Sequence, residues 1–72
     1  MSIAKLELST DVKPRLKLVG EDGNAFAIMG RAQRAWRKAK LPEDDLKKIM
    51  AEARNGDYDH LLGTIIEYFD VD

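Results

Sequence analysis

Between residues 25 and 39, apolar side chains recur at the three-then-four spacing of a helix: Ala25, Ile28, Met29, Ala32, Ala35, Trp36 and Ala39. No alternation persists there to suggest a strand, so this stretch needs a partner for one helical face. Most of the stripe is alanine, the best helix former, whose small side chain lets a neighbour come close. Met29 and Trp36 supply the bulk, with Trp36 as the anchor. The opposite face carries Arg31, Arg34 and Lys38, with Arg37 and Lys40 at its margins and no acidic residue among them. That face is expected to be solvent-exposed and basic.

The lead-in, Gly20-Glu21-Asp22-Gly23-Asn24, reads as a tight turn with a cap. Gly20 and Gly23 supply backbone freedom, and Asn24, or failing that Asp22, accepts from the first free helical N–H groups. A glycine-rich turn before a helix also suggests a phosphate cradle. Glu21 and Asp22 would set two negative charges where a phosphate sits, and neither the P-loop lysine nor dinucleotide-binding glycine spacing is present, so turn-plus-cap is the favoured reading.

A second helix is marked by Leu41-Pro42-Glu43-Asp44-Asp45, with proline at its first position and three carboxylates against the positive end of the helix dipole. Leu46, Ile49, Met50 and Ala53 form its inward stripe, and Arg54-Asn55-Gly56 stops it, with Gly56 expected in a left-handed turn. Asp57 caps a third helix whose stripe is Leu61, Leu62, Ile65, Tyr68 and Phe69, with Ile66 beside it. Gly30 and Gly63 lie inside helices, where glycine costs about 1 kcal/mol against alanine, so a close helix–helix approach is expected at each, with the two facing each other. The terminal Asp70-Val71-Asp72 is expected to fray.

Ahead of the helices, Ile3 to Leu8 and Arg15 to Val19 alternate apolar and charged residues, and turn formers and Pro14 lie between them. Two short strands in an antiparallel hairpin follow, laying Leu6, Leu8, Leu16 and Leu18 on the helices. The expected fold is mainly α (α+β), a three-helix domain with a short N-terminal β-hairpin. Residues 1–72 form a single small domain, with residues 1–14 either a flexible arm or an edge strand.

Composition narrows the function classes. The chain has no cysteine, hence no disulfide framework, thiolate nucleophile or cysteine zinc site, which fits a reducing compartment and a cytoplasmic location. No signal peptide is visible and no apolar run approaches the ~20 residues needed to span a bilayer, so no membrane partner is expected. Residues 1–40 carry nine basic against four acidic residues and residues 41–72 carry three against nine. The molecule is therefore either a dipole that attracts charged partners, including its own copies, or a fold that mixes the two halves.

The only histidine, His60, lies in Gly56-Asp57-Tyr58-Asp59-His60, the densest cluster of functional groups in the chain. Asp57, Asp59 and His60 lack the i, i+4 spacing that converges on a metal and fan out around a first helical turn, where capping is the simpler role. No serine, threonine or cysteine sits in a nucleophile setting, and so small a core can hardly build a cleft for paired carboxylates. No enzyme, cofactor, metal or small-molecule substrate is expected.

The best candidate surface is Arg31, Arg34, Arg37, Lys38 and Lys40, joined by Arg15 and Lys17. It suits a protein partner first. Nucleic acid is the alternative, with phosphates along the basic helix and Trp36, if exposed, stacking on a base. Glu67, Asp70 and Asp72 with Glu43 to Asp45 offer a complementary surface for basic partners or self-association.

The motifs Val19-Gly20-Glu21-Asp22-Gly23-Asn24-Ala25-Phe26, Gly30 with Arg34-Ala35, and Gly56-Asp57-Tyr58-Asp59-His60-Leu61-Leu62 resemble a group of small uncharacterised proteins encoded by bacteriophages, prophages and other bacterial mobile elements. The likeness spans about Arg15 to Tyr68. It implies a bacterial or phage cytoplasmic setting and an accessory role, and it carries no activity to transfer residue by residue. The first fourteen residues lie outside it.

Overall fold

A computed structural model describes residues 6–72. Three helices, α1 (Ala25–Lys38), α2 (Glu43–Ala53) and α3 (Tyr58–Tyr68), follow a two-residue strand β1 (Arg15–Leu16) and precede another, β2 (Asp70–Val71). They share one core, in which Ile28, Ala32 and Trp36 of α1 meet Leu46, Ile49, Met50 and Ala53 of α2 and Leu61, Ile65 and Tyr68 of α3. Trp36 is fully buried, makes an edge-on contact with Phe69 at 5.8 Å between ring centres, and donates its indole N–H to the Pro42 carbonyl at 2.8 Å. Its apolar body thus fills the centre while its one polar group is satisfied at the α1–α2 turn.

Helix boundaries follow local chemistry. Asn24 Oδ1 accepts from Phe26 N–H at 2.9 Å at the start of α1, and Asp57 Oδ1 accepts from His60 N–H at 2.9 Å at the start of α3. Pro42 occupies the position before the first residue of α2, one place earlier than expected, and Glu43, Asp44 and Asp45 fill the first turn. The end of α1 is a Schellman motif: Lys40 N–H donates to the Arg37 carbonyl and Leu41 N–H to the Trp36 carbonyl, with Lys40 at φ 59° where glycine is usual. Gly20, at φ 79°, closes a turn in which Glu21 N–H donates to the Leu18 carbonyl.

The fold class stands, while the pairing within the small sheet differs from the expected hairpin. β1 pairs in parallel with β2, Arg15 opposite Asp70 and Leu16 opposite Val71, so the whole helical body is the crossover between the strands. Asp70–Asp72, expected to fray, is held by Asp70 N–H on the Pro14 carbonyl (2.9 Å) and Asp72 N–H on the Leu16 carbonyl (3.0 Å). Of the expected first strand, Ile3 to Lys5 lie outside the described residues, and Leu6 to Leu8 run as irregular chain. Residues 6–13, expected as a flexible arm or an edge strand, are strapped to the helices by side chains. Ser9 and Thr10 supply donors to Asp45, Leu6 N–H donates to the Tyr68 hydroxyl at 2.8 Å, and Lys48 Nζ donates to the Glu7 carbonyl at 2.9 Å.

Two glycine expectations are also corrected. Among the described residues only Arg34 Nη1, at 3.9 Å, would lie near a Cβ at Gly30, so neither α2 nor α3 approaches there and Gly30 does not face Gly63. Gly56 has no left-handed φ. A Cβ there would stand 2.8 Å from His60 Cβ and Cγ, so the close approach of His60 is what excludes a side chain.

Candidate binding groove

A groove of about 470 Å³ runs between β1 and α1. Its rim is Arg15 from the strand, Lys17 just after it, and Arg31, Arg34 and Lys38 from the helix, and its floor includes Pro14, Leu16, Ala35 and Ala39. The local sequence explains the arrangement. Strand alternation turns Leu16 into the core and leaves Arg15 and Lys17 outside, while the three-then-four spacing of Arg31, Arg34 and Lys38 sets them along one side of α1. Alanines at 35 and 39 keep the helix low between the cations.

Two of the five cations are neutralised. Arg31 Nη2 meets Glu21 Oε1 at 2.8 Å, with both side chains about two-thirds or more buried, and Arg31 Nε is buried without a hydrogen-bond partner among the described residues. Arg15 Nη2 meets Asp72 Oδ2 at 3.0 Å in the open, a contact of small energetic weight. No ion pair engages Lys17, Arg34 or Lys38 among the described residues. The groove therefore offers three unneutralised cations over an apolar floor.

Arg37 and Lys40 do not join it. Arg37 turns towards α2, where Nη2 lies 2.8 Å from Glu43 Oε2. That hydrogen bond raises the guanidinium pKa and holds the Glu43 carboxyl below its ordinary value. Lys40 sits in the left-handed position of the α1 stop. The face of α1 is also less free of acid than its sequence implied, because Glu21, from the preceding turn, and Glu43, from α2, both reach it.

The turn residues are engaged internally. Asp22 Oδ1 accepts from Asn24 N–H at 3.0 Å, the Gly23 carbonyl accepts from the Tyr58 hydroxyl, and Asn24 caps α1. Gly20 forms the preceding bend, Gly56 makes room for His60, and Asp57 caps α3. His60 Nε2 lies 2.7 Å from Glu52 Oε2 and 2.9 Å from the Glu52 carbonyl oxygen. Both are acceptors, so Nε2 carries the hydrogen and ties α3 to the end of α2. Among the described residues no group of three or more His, Cys, Asp or Glu side chains could hold a metal ion, and no helix is long and apolar enough to cross a membrane.

Asp45 has a role that its sequence position hid. Only 2% exposed, it accepts from Ser9 N–H at 3.0 Å, Ser9 Oγ at 2.9 Å and Thr10 N–H at 3.1 Å. The Ser9 backbone bond above all, aided by the Ser9 hydroxyl and Thr10 N–H, lowers its pKa against the opposing effect of burial. In the sequence Asp45 is one of three consecutive acidic residues, and the only hint was the donor-rich Ser9-Thr10 turn. The acidic surface expected of Glu43, Asp44, Asp45, Glu67, Asp70 and Asp72 is accordingly broken up, since Asp45 holds the arm, Glu43 holds Arg37 and Asp72 holds Arg15. The burial of Trp36 likewise removes it as a stacking platform. Large apolar side chains stand exposed instead at Val12, Val19, Phe26, Tyr58 and Ile66.

No protein-family model matches the chain, and neither does any curated protein or solved structure.

Proposed function

We propose that the chain is a non-catalytic accessory binding module whose β1–α1 groove takes an acidic segment of a protein partner. The observation that carries this reading is the convergence of Arg15, Lys17, Arg31, Arg34 and Lys38 on one groove with an apolar floor, three of the five cations lacking a carboxylate among the described residues. Cations over apolar ground favour a peptide bearing both carboxylates and apolar side chains. Nucleic acid is the weaker alternative, because the only tryptophan is unavailable for stacking and Arg31 is tied to Glu21. The resemblance noted above adds a bacterial or phage cytoplasmic setting to the proposal.

The test is a displayed library of ten-residue peptides selected on the wild-type protein and counter-selected on a K17Q/R34Q/K38Q variant. The expected outcome is enrichment of Asp and Glu interleaved with apolar residues, with binding that weakens as salt rises. Enrichment of uncharged or basic peptides, or none, defeats the reading. Tight binding of a labelled single-stranded oligonucleotide lost in the same variant would replace it with the nucleic-acid alternative.

A further inference from the structure

The backbone of β1 says how such a segment would lie. β2 and the residue after it bond to the Pro14 and Leu16 carbonyls and to Leu18 N–H. Because successive residues of a strand direct their N–H and C=O groups to opposite edges, those of Arg15 and Lys17 face away from β2. No hydrogen bond meets them there among the described residues. The groove is built on this same stretch, Pro14 to Lys17, with α1 as its other wall. An open strand edge of this kind is a template for another strand.

Resting on the reading that the groove takes an acidic protein segment, we infer that the segment docks as a third strand on β1. Its main chain bonds to the N–H and C=O groups of Arg15 and Lys17, and its carboxylates meet Lys17, Arg34 and Lys38. The edge presents donors and acceptors together. A nucleic-acid phosphate chain has acceptors only and leaves the Arg15 and Lys17 carbonyls unmet, and a docked helix has already used its own backbone groups. Alternate residues of an extended chain point to opposite faces, so a sequence alternating acidic and apolar residues sends its apolar side chains to one face and its carboxylates to the other. A second copy could offer its own acidic β2, but its Asp72 is already paired with Arg15, and such a head-to-tail contact leaves an unpaired edge at each end of a pair of copies.

The probe is a fluorescein-labelled, end-blocked (Val-Glu)4 peptide, with two versions N-methylated either at every valine or at every glutamate. Anisotropy should show the parent binding and the K17Q/R34Q/K38Q variant losing about tenfold or more in affinity. One methylated version should lose about tenfold or more while the other binds like the parent, since only alternate N–H groups of a strand face its neighbour. The Arg15 and Lys17 amides should exchange more slowly with solvent when the peptide is bound. If the parent binds but both methylated versions match it and those amides exchange unchanged, strand addition is overturned while the acidic-segment reading survives. If the parent fails to bind and a labelled (dT)12 strand binds instead, both fall. A sedimentation mass that rises with protein concentration in the absence of peptide assigns the edge to a second copy and also overturns the inference.

Discussion

Residues 6–13 and residues 15–17 follow one another along the chain, yet they meet the helices in opposite ways. The first stretch is anchored at Ser9 and Thr10 by the buried Asp45 and at Leu6 by Tyr68. The second is bonded along one edge to β2, while its other edge and the Lys17 ammonium stand open above a groove among the described residues. Both are short, irregular or nearly so, and rich in polar groups. What separates them is whether each polar group already has a protein partner. Where it has, losing the contact leaves a desolvated group behind and registers as lost stability. Where it has not, water serves until a ligand comes, and the loss registers in binding.

The largest expected effect comes from the residue that joins the two stretches to the core. Leu16 is buried between the groove and the helices, so Leu16→Ala should cost about 2–4 kcal/mol, a large share of the stability of so small a domain. Urea unfolding followed by far-UV circular dichroism measures it. A loss below about 1 kcal/mol would mean that β1 is a loosely attached flap, and the comparison would fail at its root.

Next in size is the strap. Asp45→Asn keeps the shape but turns an amide N–H₂ towards donors, and the melting temperature should fall by several degrees. The pH dependence isolates the cause. The native Asp45 carboxyl titrates below its unfolded value of about 3.9, so its contribution is complete above that pH and is lost as the pH falls through the depressed native value. Below about pH 4 the wild type should therefore lose melting temperature more steeply than Asp45→Asn, a contrast that leaves aside the similar acid response of Glu43. Parallel acid limbs for the two proteins would show that the strap carries no such linkage.

A smaller effect of opposite sign tests how open α1 is beside Gly30. Among the described residues a Cβ at Gly30 would meet only Arg34 Nη1, at 3.9 Å, so Gly30→Ala should gain about 0.5–1 kcal/mol from helix propensity alone. A loss in thermal unfolding would mean that this side of α1 is more tightly packed than its neighbours indicate. By the same reasoning Lys40→Gly, which relieves a left-handed lysine outside the groove, should stabilise by up to about 1 kcal/mol.

The helices were legible because their signals are local: the stripe of Ile28, Ala32 and Trp36, the caps at Asn24 and Asp57, and the acidic first turn of α2 each lie within a few residues of what they decide. The pairing of β1 with β2 was not, since alternation at Arg15-Leu16-Lys17 announces a strand without naming its partner, and the partner lies more than fifty residues away. The hairpin expectation rested on the nearest alternating segment, and proximity in sequence is a weak guide when the short stretch after α3 can close the sheet. The groove was half legible. Arg31, Arg34 and Lys38 share a helical face by spacing, but their meeting with Arg15 and Lys17 depends on that same distant pairing, and the capture of Arg37 by Glu43 and of Arg31 by Glu21 depends on turns whose geometry the residues alone did not fix. Asp45 was illegible for a like reason, because its donors come from Ser9 and Thr10 across the fold.

The smallest expected change in stability is the one that sharpens the comparison most. Lys17, Arg34 and Lys38 are exposed and engage no carboxylate among the described residues, so replacing all three with glutamine removes no ion pair among them and should shift unfolding by no more than about 0.5–1 kcal/mol. Part of that shift comes from Lys38, which lies in the last turn of α1 where a cation interacts favourably with the helix dipole. The same triple variant should lose the acidic peptides selected on the wild type. The two readouts together separate the segment's halves: Asp45→Asn should move stability with little effect on peptide affinity, and K17Q/R34Q/K38Q should do the reverse. If the triple variant unfolds as readily as Asp45→Asn, its cations are structural partners of groups around the groove, and the distinction between a finished and an open half of the segment disappears.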